Sequence, residues 1–355
     1  MGKLEPRRLF WQILVRALVP LVWLVPARAQ QPALPVSPSP QSPPAEQKQE
    51  NSATLTSQRP IVSTTGLVHL VATVVDRHHN FVTDLGKSDF KVIENGVPQQ
   101  IQFFSRETDL PLRIALLLDT SNSIRARLEF EKDAAIDFLD KVIRRSKDLA
   151  FLMTFDNDPE VIQDYTGDVE LLDSAIREQR AGGGTALNDA ICLAAEKLQH
   201  APVPKEQNAD IRRVIVVISD GNDNLSDHAL SDAIDAAIRS ETAVFAVSTN
   251  TDWLAIDDSK PNKYNLAAGD KILQQFADQT GGHAFFPYRV DDLAESFLAI
   301  GTELRSQYFI AYAPADPPSG GQYRQINVET IQKGLTVRTR KGYFAAAVSP
   351  TPTAR

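Results

Sequence analysis

The chain has 355 residues, enough for a large core and for more than one folded unit. Its net charge is −8 and it has no basic stripe, which argues against nucleic acid as a partner. The one cysteine, Cys192, excludes an intramolecular disulfide; within Ala190, Ile191, Leu193 and Ala194 it reads as a buried, inert thiol.

Residues 1–29 read as a bacterial signal peptide. Lys3, Arg7 and Arg8 precede an apolar run, Leu9–Val25, interrupted by Arg16, and Ala27-Arg28-Ala29 is a cleavage signal. The Arg7-Arg8-Leu9-Phe10 run resembles a twin-arginine export signal. Either route predicts a mature protein starting near Gln30, with no stable membrane span, in the periplasm, at the cell surface or secreted. Residues 30–60, rich in Pro, Gln and Ser, are expected to be a disordered linker.

Residues 61–108 predict a small N-terminal β-unit. Leu67–Val75 is β-rich, Arg77–Asn80 is a turn holding His78 and His79, and Phe90–Glu94 is a strand. Asn95-Gly96 is a hairpin signal, with Gln99–Phe104 as the returning strand.

From residue 109 to 305 strands and helices alternate. The predicted strands are Ile114–Leu118, Leu149–Phe155, Val161–Tyr165 at an edge, Val214–Ile218, Ala243–Val247 and His283–Pro287. The helices are Leu128–Ile143, Val169–Arg177, Leu187–Leu198, Ala229–Arg239, Ile272–Gln279 and Leu293–Leu304, with Asn250–Gly269 as a loop. Residues 306–346 return to strands, Tyr308–Tyr312, Tyr323–Glu329 and Leu335–Arg340, and 347–355 form a disordered tail. Neither flank has enough strands for a stable sheet alone. The expected fold is therefore α/β, a doubly wound, mostly parallel sheet flanked by helices, inserted into a small β-domain built from the two flanks. Phe285, Phe286, Tyr288, Tyr308, Phe309 and Tyr312 read as core or junction packing, with Tyr288 and Tyr308 the two open to exposure.

Three stretches carry chemistry. In Arg113–Ser123 (RIALLLDTSNS) a buried strand ends in Asp119, followed by Ser121 and Ser123. Gly182–Asp189 (GGGTALND) places Thr185 in a glycine loop before a helix, and Val214–Asn224 (VIVVISDGNDN) ends a second buried strand in Asp220. In open α/β sheets ligands bind beyond the carboxyl ends of the strands. Two carboxylates and three hydroxyls with no His or Cys suit a hard cation, Mg²⁺ or Mn²⁺. Each aspartate taken alone is equally explained as a helix cap. Asp189, Asp223, Gly184 and Gly221 stand beside these residues as supporting or capping groups.

Together these motifs resemble the metal-ion-dependent adhesion site of von Willebrand factor A domains, over about Pro111–Arg305. The resemblance implies a non-catalytic module whose bound cation accepts an Asp or Glu carboxylate from a protein partner, with Thr185 joining the metal directly in the ligand-bound form. Asp89-Phe90, Glu94-Asn95-Gly96 and the Arg338–Tyr343 run extend the likeness, over about Thr65–Ala345, to a von Willebrand factor A-related family of acidobacterial exported proteins. A metal-dependent hydrolase and a scaffold whose metal only stabilises loops are the alternatives. Against hydrolysis, the chain has no H-E-x-x-H, no G-x-S-x-G and no phosphate loop, and Ser121 stands where a phosphotransferase would need a second aspartate.

Overall fold

The computed structural model describes residues 66–106, 110–204, 210–250, 266–287, 291–316 and 320–345. The expected signal peptide, linker and tail, Tyr288 and most of the Asn250–Gly269 loop lie outside them.

The strand Leu112–Asp119 (β5) is buried along its whole length, as its unbroken apolar run requires. It pairs in parallel with Leu149–Phe155 (β6) on one side and Arg212–Ser219 (β8) on the other. Beyond β8 lie Thr242–Ser248 (β9) and Ala284–Phe285 (β10), both parallel; beyond β6, Pro159–Thr166 (β7) closes the edge antiparallel. The order β10-β9-β8-β5-β6-β7 puts the first strand of this sheet in its middle. The chain leaves β5 towards β6 and later crosses back to β8, so the crevice between the carboxyl ends of β5 and β8 is the switch point where such sheets bind ligands.

Helices cover both faces. Leu112, Ile114, Leu116 and Leu118 pack with Leu128–Val142 (α1), Val169–Arg177 (α2) and Asp291–Leu304 (α6). Ala115 and Leu117 point the opposite way, into the core formed with Leu187–Gln199 (α3), Leu230–Arg239 (α4) and Ala268–Thr280 (α5). This alternation is the period-2 signature of a strand covered on both sides.

The flanking segments meet in two antiparallel sheets. Val68–Val75 (β1) and Ile101–Ser105 (β4) combine with Gln307–Tyr312 (β11) and Thr336–Arg338 (β13) in the order β13-β1-β11-β4. Phe90–Glu94 (β2) and Val97–Gln99 (β3) combine with Tyr323–Thr330 (β12) and Gly342–Phe344 (β14) in the order β14-β12-β2-β3. Leu70, Val74, Phe90, Val92, Tyr308, Ile310, Tyr312 and Ile326 form one shared core. Each sheet draws strands from both ends of the chain, so neither flank completes a sheet alone.

Three local expectations need correction. The hairpin returns through Val97–Gln99 rather than Gln99–Phe104; the chain then changes sheets, and Ile101–Ser105 pairs with β11. Pro98, with no N–H to give, sits on the short edge strand, where it costs no ladder bond. Cys192 is half-buried and Leu193 exposed, because α3 buries Ala190, Ile191, Ala194, Ala195 and Leu198 instead; burial still pushes the Cys192 thiol up to about 11. Tyr308, by contrast, agrees with the core reading: it is buried, its hydroxyl donating to Val82 O and accepting from Leu85 N. Finally, α5 begins at Ala268, inside the stretch read as loop.

Candidate metal centre

The β5 and β8 strands end side by side, with Leu118 opposite Ile218. Asp119 therefore emerges beside Ser219 and Asp220. Asp119 is 0% exposed and Asp220 5%. Oδ1 of Asp119 accepts from the Ser121 N–H at 2.9 Å, and Oδ2 from the Ser219 hydroxyl at 2.7 Å. Burial pushes the Asp119 carboxyl up to about 6; the bonds from Ser219 and Ser121 oppose that rise, and the Asp220 charge adds to it. Oδ1 of Asp220 accepts from the Asn222 N–H at 3.0 Å.

The glycine loop is laced against both strand ends. The Gly182 N–H donates to Thr120 O, and the Asn122 N–H and side-chain amide both donate to Gly183 O. On its other side the Thr185 N–H donates to Asn224 Oδ1 at 2.9 Å, while Thr185 O accepts from the N–H groups of Asn224 and Leu225. Thr185 is 3% exposed. The Ser121 and Ser123 hydroxyls lie 2.9 Å apart, Ser121 buried and Ser123 exposed. The three loops thus bring all five sequence-selected residues to one crevice.

One glycine is required by geometry: Gly221 has φ +76°, and a Cβ there would come within 2.2 Å of Gly269 O. A Cβ on Gly184 would meet side chains only, chiefly the end of the exposed Leu225, which can turn aside. The flanking acids serve loop and helix ends. Asp223 accepts from the Asn188 N–H at the start of α3 and from Ser226, and Asp189 accepts from the N–H groups of Asp227 and His228 and bonds the His228 ring.

Three residues with roles here were missed in the sequence. Ser219 belonged to the Ser-Asp-Gly run that carries the resemblance but was given no role, and Asn224 lay inside a quoted stretch but outside that pattern. Asn157, whose Oδ1 accepts from the Gly184 N–H at 2.9 Å, gave no signal beyond its place after a strand.

Whether this crevice fits a cation is decided by what the protein leaves unused. Among the described residues, Asp220 Oδ2 and the Thr185 hydroxyl have no protein partner, although both side chains belong to buried residues. Among the same residues no Lys or Arg pairs with either aspartate. Nor do three His, Cys, Asp or Glu side chains gather there as metal ligands. The donor set is two carboxylates plus hydroxyls, a set that a hard divalent ion accepts.

Residues 114–222 match the family model of the von Willebrand factor type A domain, a span that includes all five of these residues. This part of the chain is a von Willebrand factor type A domain. Similar solved structures include an aerotolerance-related membrane protein from Bacteroides fragilis, at 23% identity over 54% of this chain and 98% of that one, with a TM-score of 0.42. A von Willebrand factor type A protein from Catenulispora acidiphila shares 13% identity over 81% of this chain and 74% of that one, with a TM-score of 0.45. Proximal thread matrix protein 1 from the mussel byssus, with a zinc-occupied metal-ion-dependent adhesion site, shares 15% identity over 59% and 48%, with a TM-score of 0.43. No curated protein matches the chain. Among the described residues no helix is long and apolar enough to cross a membrane.

Proposed function

We propose that the protein is an exported, non-catalytic binding module. Its von Willebrand factor type A domain holds a divalent cation, Mg²⁺ or Mn²⁺, through Asp119, Ser121, Ser123, Thr185 and Asp220. The cation in turn accepts an Asp or Glu carboxylate from a protein partner. The observation that carries this reading is the set of unused oxygens on buried residues, Asp220 Oδ2 and the Thr185 hydroxyl, beside a desolvated Asp119 carboxyl with no cationic side chain paired to it among the described residues. Burial of uncompensated negative charge is costly, and a divalent ion offsets it directly.

When bound, the ion supplies an electrophilic centre. The residues contribute the rest. Asp119 and Asp220 provide charge, the hydroxyls provide neutral oxygens, and the Ser219 bond holds the Asp119 carboxyl in one orientation. Gly183, Gly184 and Asn224 fix the loop that carries Thr185. The basic N-terminal run with its cleavage signal supports export.

Calorimetry on the purified protein with Mg²⁺ and Mn²⁺ tests the reading. Saturable binding in the wild type that disappears in Asp119→Ala is expected. Absence of binding in the wild type would overturn it and leave the three loops as a hydrogen-bonded scaffold.

A further inference from the structure

Ser123, the last hydroxyl of the crevice, lies in a single 3-10 turn, Asn122–Ile124, and the N–H of Arg125 closes that turn on Asn122 O. The Arg125 side chain is exposed, yet it is tethered. Its Nη2 donates to Asn122 Oδ1 at 2.7 Å and to Ala181 O at 3.3 Å. Asn122 in turn gives its N–H and its side-chain amide to Gly183 O, at 3.3 and 3.0 Å. The guanidinium is thus pinned across two loops, the one that carries Ser121 and Ser123 and the one that carries Thr185. That places it on the rim of the crevice.

Two features set it apart from an ordinary surface cation. Among the described residues its Nε and Nη1 make no hydrogen bond and no carboxylate pairs with it, whereas Arg144, Arg145, Arg177, Arg324 and Arg338 each hold an acid. The opposite side of the glycine loop has the opposite charge. There Asn157, bonded to the Gly184 N–H, stands between Asp156 and Asp158. A second acid on a partner is therefore repelled on the Asn157 side and attracted on the Arg125 side. An arginine already held in place also loses less side-chain freedom when it binds.

We propose that Arg125 is a specificity-determining residue of the carboxylate-binding face, taking a second carboxylate of the partner beside the one that meets the cation. This rests on the metal-binding reading above. The partner is then an extended segment with Asp or Glu at alternate positions, since alternate side chains of an extended chain share one face and stand roughly 7 Å apart.

The test is titration at saturating Mg²⁺ with three acetylated, amidated peptides: Gly-Asp-Gly-Asp-Gly and its two single-Asn controls. The readout is the affinity ratio of the diacid to the better control within each protein, so that any change in Mg²⁺ affinity cancels. Wild type should prefer the diacid by about two- to fivefold, the range of an exposed ion pair. Arg125→Gln should bring the ratio to one, and Arg125→Lys, which keeps the charge, should retain a preference and serves as the second variant should the glutamine protein misfold. A ratio of one in wild type, or an undiminished ratio in Arg125→Gln, would overturn the role of Arg125 and leave the metal site standing. Mg²⁺ uptake without binding of any of the peptides would overturn both the role of Arg125 and the acceptance of a carboxylate by the cation. No Mg²⁺ uptake by the wild type would overturn the metal-binding reading itself.

Discussion

The Ser219 hydroxyl donates to Asp119 Oδ2 across 2.7 Å, joining the ends of two neighbouring strands 100 residues apart in the chain. The same hydroxyl accepts from the Gly221 N–H at 3.0 Å, so one buried oxygen fixes both the carboxyl and the turn that follows Asp220. Ser219→Ala leaves the carboxyl and an N–H short of a partner, and the expected loss is about 1–3 kcal/mol in urea unfolding. An unchanged midpoint would show that water replaces the hydroxyl without cost.

Two buried acids should shape the pH dependence of stability in opposite directions. Burial raises the Glu131 carboxyl from 4.5 to about 8, with Arg127 opposing and the charges of Asp119 and Asp220 adding. The folded state therefore holds a proton that the unfolded chain releases, and stability falls as pH rises from 4.5 through 8. Each tenfold change in that ionisation equilibrium is worth about 1.4 kcal/mol. In chelator, Glu131→Gln should therefore match wild type below pH 4.5 and exceed it by a few kcal/mol at pH 8. Parallel curves for the two proteins would contradict a buried acid.

Asp148 works the other way. Burial opposes its ionisation, but Arg144, the Leu112 N–H and Arg305 together hold its carboxyl below the ordinary 3.8. Its contribution is present above pH 3.8 and is lost as pH falls through the lower folded value. Asp148→Asn should destabilise by about 3 kcal/mol at pH 7, as expected for breaking a buried pair, and the deficit should shrink in acid. A deficit that is the same at neutral pH and in strong acid would exclude the ionised carboxylate as its source.

The parallel sheet was legible because its strands are unbroken apolar runs and its helices have clean periodicity. The candidate metal residues were legible because Asp119, Ser121 and Ser123 follow such a run at alternate positions. What escaped was non-local. The change of sheet after Pro98 depends on β11, some 200 residues later, as the partner of β4. Ser219 and Asn157 act through loops that only the folded sheet brings together.

Glu94 joins the flanks of the chain. It accepts from the Tyr312 hydroxyl at 2.6 Å and pairs with Arg324, and it also accepts from Tyr343, so one carboxyl from the N-terminal flank holds three residues of the C-terminal flank. Glu94→Ala leaves Arg324 buried without this partner and removes the acceptor of both tyrosines. A loss of about 3–5 kcal/mol is expected in denaturant unfolding, without any change in Mg²⁺ affinity under native conditions. An equal fall in Mg²⁺ affinity would mean that the flanking sheets and the crevice are energetically coupled.

Gly221 and Gly269 are packed backbone to backbone. A Cβ on Gly221 would meet Gly269 O at 2.2 Å, and one on Gly269 would meet Asp220 O at 2.1 Å. The contact presses the start of α5 against the turn that carries Asp220. Gly221→Ala adds the cost of a left-handed conformation, φ being +76°, to a collision with backbone that cannot rotate away. Together these predict about 2–5 kcal/mol of destabilisation. Gly269→Ala meets the same wall from the other side without the left-handed cost. It should therefore destabilise less, while still displacing Asp220 and weakening Mg²⁺ binding. Thermal melts and Mg²⁺ calorimetry on the two variants separate the contributions. If Gly269→Ala keeps wild-type affinity, the turn tolerates the displacement and Asp220 does not depend on this contact for its position.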